Sequence, residues 1–224
     1  MQTYEVEIKS LLGTPERADE LRAALKKLDP GMQLTSHNKQ LNHYFEGGTI
    51  EVLANNLAPH LDDSKRAQLA DIAARAKSFS VRTRDKDGTV LIVVKASVGD
   101  DTSENGVSRM EFEAEVPLSI AQLDEIVLHS GFSYQAKWSR DREEYLANGI
   151  NICLDRNAGY GYLAEFERVV DDQAKVADAE KELRAFMATV GTEELPQDRL
   201  ERMFAFYNAN WEEYYGTDKI FNID

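Results

Sequence analysis

The sequence predicts an α+β protein built on a closed, antiparallel β-barrel of about eight strands, with helices packed on the outside. Three observations predict this fold. Short strand-like runs are separated by turn residues, charged residues alternate with apolar ones along those runs, and several amphipathic helical segments need an apolar surface to cover. The 224 residues can form one packed core and contain no linker-like segment, so we expect a single domain over 1–224.

Eight segments are predicted as strands from their length, their alternation and the turn residues between them. They are 3–12, 39–46, 78–85, 89–97, 107–116, 133–146, 150–156 and 161–170. Tight turns are expected at Asp85-Lys86-Asp87-Gly88 and at Asn148-Gly149, and the polar stretch 99–106 is predicted as an exposed hairpin loop.

Five segments carry the apolar spacing and end signals of helices, with the Ala-rich second one the weakest. They are 15–28, 62–77, 117–130, 172–190 and 196–215. The first is the best defined, because Thr14 can cap it and Pro15 suits its first turn. The last two are expected to lie as C-terminal helices on the strands of about 3–170.

Composition and charge exclude several classes of protein. Apolar residues make up 42% of the chain, and 40 acidic against 26 basic residues leave a net charge of −14. We therefore expect no duplex nucleic acid partner, because such binding depends on clustered positive charge. The one cysteine, Cys153, excludes an internal disulfide. Because no apolar run suits a membrane span or a signal peptide, we expect a cytoplasmic protein without a membrane partner.

Acidic and basic side chains collect on one face of the predicted strands. Alternate residues of a strand point to opposite sides, so Glu5 and Glu7 share a face that Val6 and Ile8 do not. The same alternation in the later strands gathers seven carboxylates and seven cations. The carboxylates are Glu5, Glu7, Glu111, Glu113, Asp155, Glu165 and Glu167. The cations are Lys9, Arg82, Arg84, Lys95, Arg109, Arg140 and Arg142.

Two interpretations of this charged face stay open from the residues alone. It is either the hydrated face of an ordinary sheet, or the lining of a closed one, where buried charges need partners, metal or ligand. The concentration of Glu and Arg, with little Lys, Thr, Gln or Ser, favours the second interpretation. Such an interior suits a polyanion with Mg²⁺ or Mn²⁺, because Glu-x-Glu pairs offer hard oxygen ligands and guanidinium groups hold phosphate oxygens.

An ordered series of motifs resembles the CYTH domain, the family of triphosphate tunnel metalloenzymes. Glu5-Val6-Glu7-Ile8-Lys9 is similar to the family's N-terminal Glu-x-Glu-x-Lys signature. Further motifs follow in the family's order at 42–46, 79–84, 90–95, 109–113, 140–145 and 154–167. The resemblance implies an eight-stranded tunnel that binds a triphosphate with Mg²⁺ or Mn²⁺. The stretch 50–77 is longer than compact members need, and 211–224 has no assigned counterpart.

The resemblance also implies roles for the charged residues and a reaction. It implies metal ligands among the seven carboxylates and phosphate ligands among the seven cations, with Glu5, Glu7, Lys9 and Arg84 as the catalytic group. The implied reaction is hydrolysis of inorganic triphosphate, a nucleoside triphosphate or thiamine triphosphate. A class IV adenylyl cyclase that makes cyclic AMP and pyrophosphate is the first alternative, and a non-catalytic polyphosphate or nucleotide-binding module is the second. Hydrolysis demands the fewest additional features.

The remaining signals carry less information. No Gly-x-x-x-x-Gly-Lys-Ser/Thr sequence is present, which excludes a P-loop NTPase, and the histidines lack zinc-site spacing. His43 is predicted as a sheet-surface histidine, with a position at the tunnel mouth as the second interpretation, and Cys153 is predicted as a structural thiol. Trp211, Tyr214 and Tyr215 are predicted as packing residues, with a homodimer surface as the second interpretation.

Overall fold

The structure is a computed structural model that describes residues 4–97 and 109–223, apart from the side chains of Arg109 and Met110. In that part of the chain there are eight strands and six α-helices. The strands are β1 (Tyr4–Gly13), β2 (Gln33–Gly47), β3 (Ser78–Lys86), β4 (Thr89–Ser97), β5 (Arg109–Glu115), β6 (Phe132–Ala147), β7 (Ile150–Asn157) and β8 (Gly161–Val170). The helices are α1 (Pro15–Leu28), α2 (Ile50–Leu57), α3 (Asp63–Arg75), α4 (Ile120–His129), α5 (Val176–Thr189) and α6 (Gln197–Tyr214). The predicted loop at 99–106 lies outside the described residues.

The strands form one antiparallel sheet with the order β1-β8-β7-β6-β2-β3-β4-β5. This confirms the predicted α+β class and the eight strands. The closed barrel is corrected: in the described residues the sheet is not closed, and its order begins at β1 and ends at β5. Alternation in a sequence indicates which strand face is apolar. Closure depends on strand tilt and stagger, which alternation does not determine.

The chain divides into two compact units, each with its own apolar core. The first unit is formed by Met1–Lys39 and Ser139–Asp224, and the second by Gln40–Trp138. The single domain expected over 1–224 stays a prediction. Among the described residues, no helix is both long and apolar enough to span a membrane.

In the first unit, α1 and α5 pack on β1 and β8. Thr14 caps α1 by accepting a hydrogen bond from the Arg17 amide, and Pro15 occupies the first turn, as predicted. The helix then buries Ala18, Leu21 and Leu25 in the core. Their strand-borne neighbours in this core include Val6, Ile8, Ile152, Leu154, Ala164 and Phe166. One sheet face of this unit is therefore apolar and covered by helices.

In the second unit, α2, α3 and α4 supply the helical side of the core. The sequence analysis did not predict α2. It is only eight residues long and contains two asparagines and two β-branched residues, which weaken a helical signal, but it buries Ile50, Leu53 and Leu57. A reciprocal capping box between Ser119 and Gln122 fixes the start of α4.

Two tight turns set the registers that matter for the site. Asp87 and Gly88 have φ values of 51° and 90°, and Asn148 and Gly149 have values of 49° and 71°. Positive φ at both central positions is the type I′ geometry that matches the twist of paired strands, so the predicted hairpins are confirmed. β2 begins at Gln33, earlier than the predicted start at 39.

Candidate functional site

In each unit, charged side chains lie on the sheet face opposite the helices. We call this face the charged face of that unit. In β1, Val6 and Ile8 are buried, whereas Glu5 and Glu7 are exposed. Of the predicted residues, the first unit places on this face Glu5, Glu7, Lys9, Arg140, Arg142, Asp155, Glu165 and Glu167. The second places Arg82, Arg84, Lys95, Glu111 and Glu113 there. The side chain of Arg109 lies outside the described residues.

A buried aspartate organises the arginines of the first unit. Asp155 on β7 is 1% exposed and pairs directly across the hairpin with Arg142 on β6. Arg142 donates from Nε and from a terminal nitrogen to the two Asp155 oxygens, each over 2.6 Å, and the terminal nitrogen also reaches Glu165 at 2.5 Å. Arg140 donates to Asp155 over 3.0 Å. Asp155 therefore binds Arg142 in a bidentate geometry and also accepts a hydrogen bond from Arg140.

The same charges set the protonation states around the aspartate. Burial raises the pKa of Glu165, but the charges of Arg142, Lys9 and Arg140 outweigh burial and lower that pKa to about 2. Glu165 is therefore a carboxylate at every ordinary pH. Burial raises the pKa of the neighbouring Cys153 thiol to about 12, which agrees with a structural thiol and not a nucleophile.

Three other carboxylates of the first unit converge. One oxygen from each of Glu5, Glu7 and Glu167 lies within 4.8 Å of the others. Glu7 and Glu167 are direct partners across the β1–β8 ladder, and Glu5 lies two residues further along β1 on the same face. Lys9 contacts Glu7 and lies 3.6 Å from Glu165. Three close carboxylates repel one another, and their hard oxygens fit a divalent ion such as Mg²⁺ or Mn²⁺.

Arg82 and Arg84 of the second unit each form a hydrogen bond with a neutral side chain. Arg84 donates from Nε to the Asn42 side-chain oxygen over 2.8 Å. Arg82 donates to the Tyr44 hydroxyl over 3.0 Å and lies 5.6 Å from the centre of its ring. Within the described part of the chain, the buried Nε of Arg82 has no hydrogen-bond partner. A neutral side chain of β2 therefore helps to position each of these arginines.

The carboxylates of the second unit are more exposed and more distant. Glu111 is 44% exposed and lies 3.3 Å from Lys95 and 3.9 Å from Arg82. Glu113 lies 3.3 Å from Arg84. Exposed contacts of this length are weak, so an anion with greater charge density can replace them. The roles predicted for all these residues as metal or phosphate ligands stay predictions.

The charged face also includes uncharged residues of β2 that the sequence analysis did not single out as a group. Asn38, Gln40, Asn42 and Tyr44 alternate along β2, and the three amides are buried. The signal was visible as a polar residue at every second position. The predicted strand began at 39, and uncharged side chains do not stand out in a pattern of alternating charge, so this group was not predicted.

The prediction that His43 lies on the sheet surface is wrong. His43 is 4% exposed, and its Nδ1 lies 2.7 Å from Asp124 of α4. Asp124 also accepts hydrogen bonds of 2.6 Å from the Thr83 and Tyr134 hydroxyls. Burial raises the pKa of Asp124, but the hydrogen bonds from His43, Thr83 and Tyr134 outweigh it and lower the pKa. The available signal was an aspartate next to Leu123 on the apolar stripe of a predicted helix.

Several solved structures share this fold at low sequence identity. A protein of Vibrio parahaemolyticus described as a candidate adenylate cyclase is 15% identical with a TM-score of 0.58, covering 92% of this chain and 99% of its own. The PH1819 protein of Pyrococcus horikoshii is 21% identical with a TM-score of 0.59, covering 91% and 99%. A conserved hypothetical protein of Pyrococcus furiosus is 18% identical with a TM-score of 0.59, covering 88% and 98%. At these identities the likeness shows the fold alone.

Sequence comparison identifies the family. No curated protein sequence matches this chain. The CYTH domain profile, however, matches residues 3–199, which include all fourteen charged positions and, among the described elements, the eight strands and five of the six helices. The chain belongs to the CYTH domain family.

Proposed function

We propose that this protein hydrolyses a triphosphate in a reaction that depends on a divalent metal ion. Membership of a family whose enzymes act on triphosphates supports the proposal. The observation that carries it is the cluster of three carboxylates in the first unit, where one oxygen from each of Glu5, Glu7 and Glu167 lies within 4.8 Å of the others. In the second unit, Arg82 and Arg84 each donate a hydrogen bond to a neutral side chain of β2.

The carboxylates Glu5, Glu7 and Glu167 are the proposed metal ligands. A divalent ion held by these three residues would supply charge neutralisation of the phosphates and polarisation of a phosphoryl oxygen. Lys9 contacts Glu7 and lies near Glu165, so it can contact a phosphate oxygen beside the metal ligands. The remaining predicted carboxylates of the first unit, Asp155 and Glu165, hold arginines in the described structure and have a positioning role in this proposal.

The cations Arg82, Arg84 and Lys95 are the proposed phosphate ligands. Asn42 occupies the Arg84 Nε, so the terminal nitrogens of that guanidinium can exchange Glu113 for a phosphate oxygen. Phosphoryl transfer spreads charge over the equatorial oxygens, and planar guanidinium groups stabilise such charge by paired hydrogen bonds. The reaction then needs a water molecule in line with the terminal phosphorus. Arg140 and Arg142 are proposed phosphate ligands of the first unit.

Product analysis tests the proposal. The purified protein is incubated with tripolyphosphate, ATP or thiamine triphosphate, first with Mg²⁺ and then with Mn²⁺. We expect orthophosphate from at least one substrate, and no product when the metal is chelated. Cyclic AMP with pyrophosphate would establish the cyclase instead, and binding without product would establish a non-catalytic module. Glu125→Gln, which changes an exposed glutamate on α4, is the matched control for carboxylate variants of the site.

A further inference from the structure

The buried network around Asp124 lies on the opposite side of the sheet from Arg82 and Arg84. Asp124 is only 4% exposed, and it lies on the face of α4 that also buries Leu123 and Val127. It contacts three strands at once: His43 on β2, Thr83 on β3 and Tyr134 on β6. A carboxylate in an apolar core is costly unless its oxygens are well hydrogen bonded. An apolar residue would fill the same position without that cost.

The strand register connects this network to the charged face. His43 and Thr83 are direct partners in the β2–β3 ladder. The pairs on either side of them are Asn42 with Arg84 and Tyr44 with Arg82, and both pairs are hydrogen bonded on the charged face. Asp124 therefore joins the two strands at the one step that lies between the two arginines.

We infer that Asp124, through Thr83 and His43, is a positioning residue that fixes where Arg82 and Arg84 present their guanidinium groups. Because successive residues of a strand point to opposite faces, a hydrogen bond at residue 83 restrains the backbone from which both arginines extend. The inference deepens the proposed function, on which its effect on catalysis rests. Its effect on the arginines does not depend on any substrate.

The central test replaces the Thr83 hydroxyl with a methyl group of similar shape, Thr83→Val. Ile92→Val is the matched control. Ile92 is the direct partner of Thr83 on β4, lies on the same face and is fully buried. Its side chain cannot donate a hydrogen bond, so the control changes packing alone. Thr83→Ser restores the hydroxyl. Two readouts are recorded for each variant: the ¹⁵N-edited NMR signals of the Arg82 and Arg84 Nε–H groups, and KM and kcat for tripolyphosphate with Mg²⁺.

We expect Thr83→Val to shift both arginine signals and to raise KM for tripolyphosphate about tenfold, a cost typical of misplaced binding groups. Thr83→Ser should restore both readouts, and Ile92→Val should leave them unchanged. Unchanged arginine signals in Thr83→Val, or equal shifts in Ile92→Val, would overturn the inference. If the wild type neither binds nor hydrolyses a triphosphate, the proposed function fails, and the NMR comparison still decides whether Asp124 positions the arginines.

Discussion

The two units carry the same kinds of residue on their charged faces but neutralise them differently. In the first unit, Arg140 and Arg142 converge on Asp155, which is 1% exposed, with contacts of 2.6–3.0 Å. In the second, Glu111 is 44% exposed and lies 3.3 Å or more from its cations. Arg140 and Arg142 therefore share a buried counter-charge, whereas Glu111 is an exposed and more distant counter-charge for Lys95 and Arg82.

The difference also appears on the helical side of each unit. In the first unit, Arg22 of α1 forms a bidentate salt bridge with Glu143, which also accepts a hydrogen bond from Tyr145. In the second unit, the corresponding contact between a helix and the strands is made by Asp124. It accepts hydrogen bonds from neutral hydroxyls and from a histidine ring. In both units, a polar side chain of one helix thus contacts a strand residue that is adjacent in sequence to an arginine of the charged face.

The largest expected effect is a loss of turnover. Variants of the two units should differ in whether added Mg²⁺ restores their activity. Glu7→Gln and Arg84→Ala should each lower kcat/KM at least about 100-fold, as loss of a group that stabilises the transition state does, while the fold is retained. Raising Mg²⁺ should recover part of the activity of Glu7→Gln, because that variant weakens a metal ligand. It should not rescue Arg84→Ala. Steady-state kinetics over a metal titration measure this, with circular dichroism as the check on folding.

An equal response of both variants to added Mg²⁺ would contradict the proposal that Glu7 binds the metal and that Arg84 binds the phosphate. Undiminished turnover in either variant would remove that residue from the site. Glu125→Gln, away from the charged faces, should behave as the wild type in the same titration.

The next largest effect concerns stability and belongs to the first unit. Asp155→Asn leaves two arginines on a largely buried surface without their shared counter-charge. Loss of one partner from a buried ion pair costs about 3–5 kcal/mol, so the free energy of unfolding should fall by that order. Urea denaturation measures it. A loss below about 1 kcal/mol, the size expected for an exposed ion pair, would contradict the role of Asp155 as the buried counter-charge of both arginines.

Acid should weaken the first unit through Glu165. Its pKa is lowered from 4.5 to about 2 in the folded state, so the carboxylate contributes stability that is complete above pH of about 4.5 and is lost as the pH falls towards 2. The shift corresponds to at most roughly 3 kcal/mol. We expect the free energy of unfolding of the wild type to fall more steeply than that of Glu165→Gln across this window. Parallel curves for the two proteins would contradict the assigned cause.

Much of this site could be predicted from local sequence. Alternation in β1 separated Glu5 and Glu7 from Val6 and Ile8 correctly. The pairing of Arg142 with Asp155 also follows from local sequence, because a two-residue turn at Asn148-Gly149 makes the hairpin residues pair symmetrically about it. That pairing could be derived from the predicted turn, although no partner was predicted for any of the fourteen charges.

The contacts that could not be predicted are those between distant elements. Asp124 meets His43 across 81 residues of chain, and no turn or period relates a helix to a strand at that separation. Closure of the sheet cannot be predicted from local sequence either, because it depends on the combined tilt and stagger of all the strands. Sequence periodicity therefore predicts which face a residue lies on, and tertiary packing decides which partner it finds there.

The smallest expected effect belongs to the second unit. Glu111→Gln should change the free energy of unfolding by less than about 1 kcal/mol, because an exposed carboxylate with contacts of 3.3 Å and 3.9 Å contributes little to stability. Without metal, the variant should bind tripolyphosphate a few-fold more tightly by calorimetry, since Lys95 and Arg82 lose a competing anion. Glu115→Gln, further along the same face of β5 and opposite Leu91, is the matched control and should change binding less. Weaker metal-free binding in Glu111→Gln would show that Glu111 positions these cations for the phosphate. The contrast between Asp155 as a structural counter-charge and Glu111 as a replaceable one would then fail.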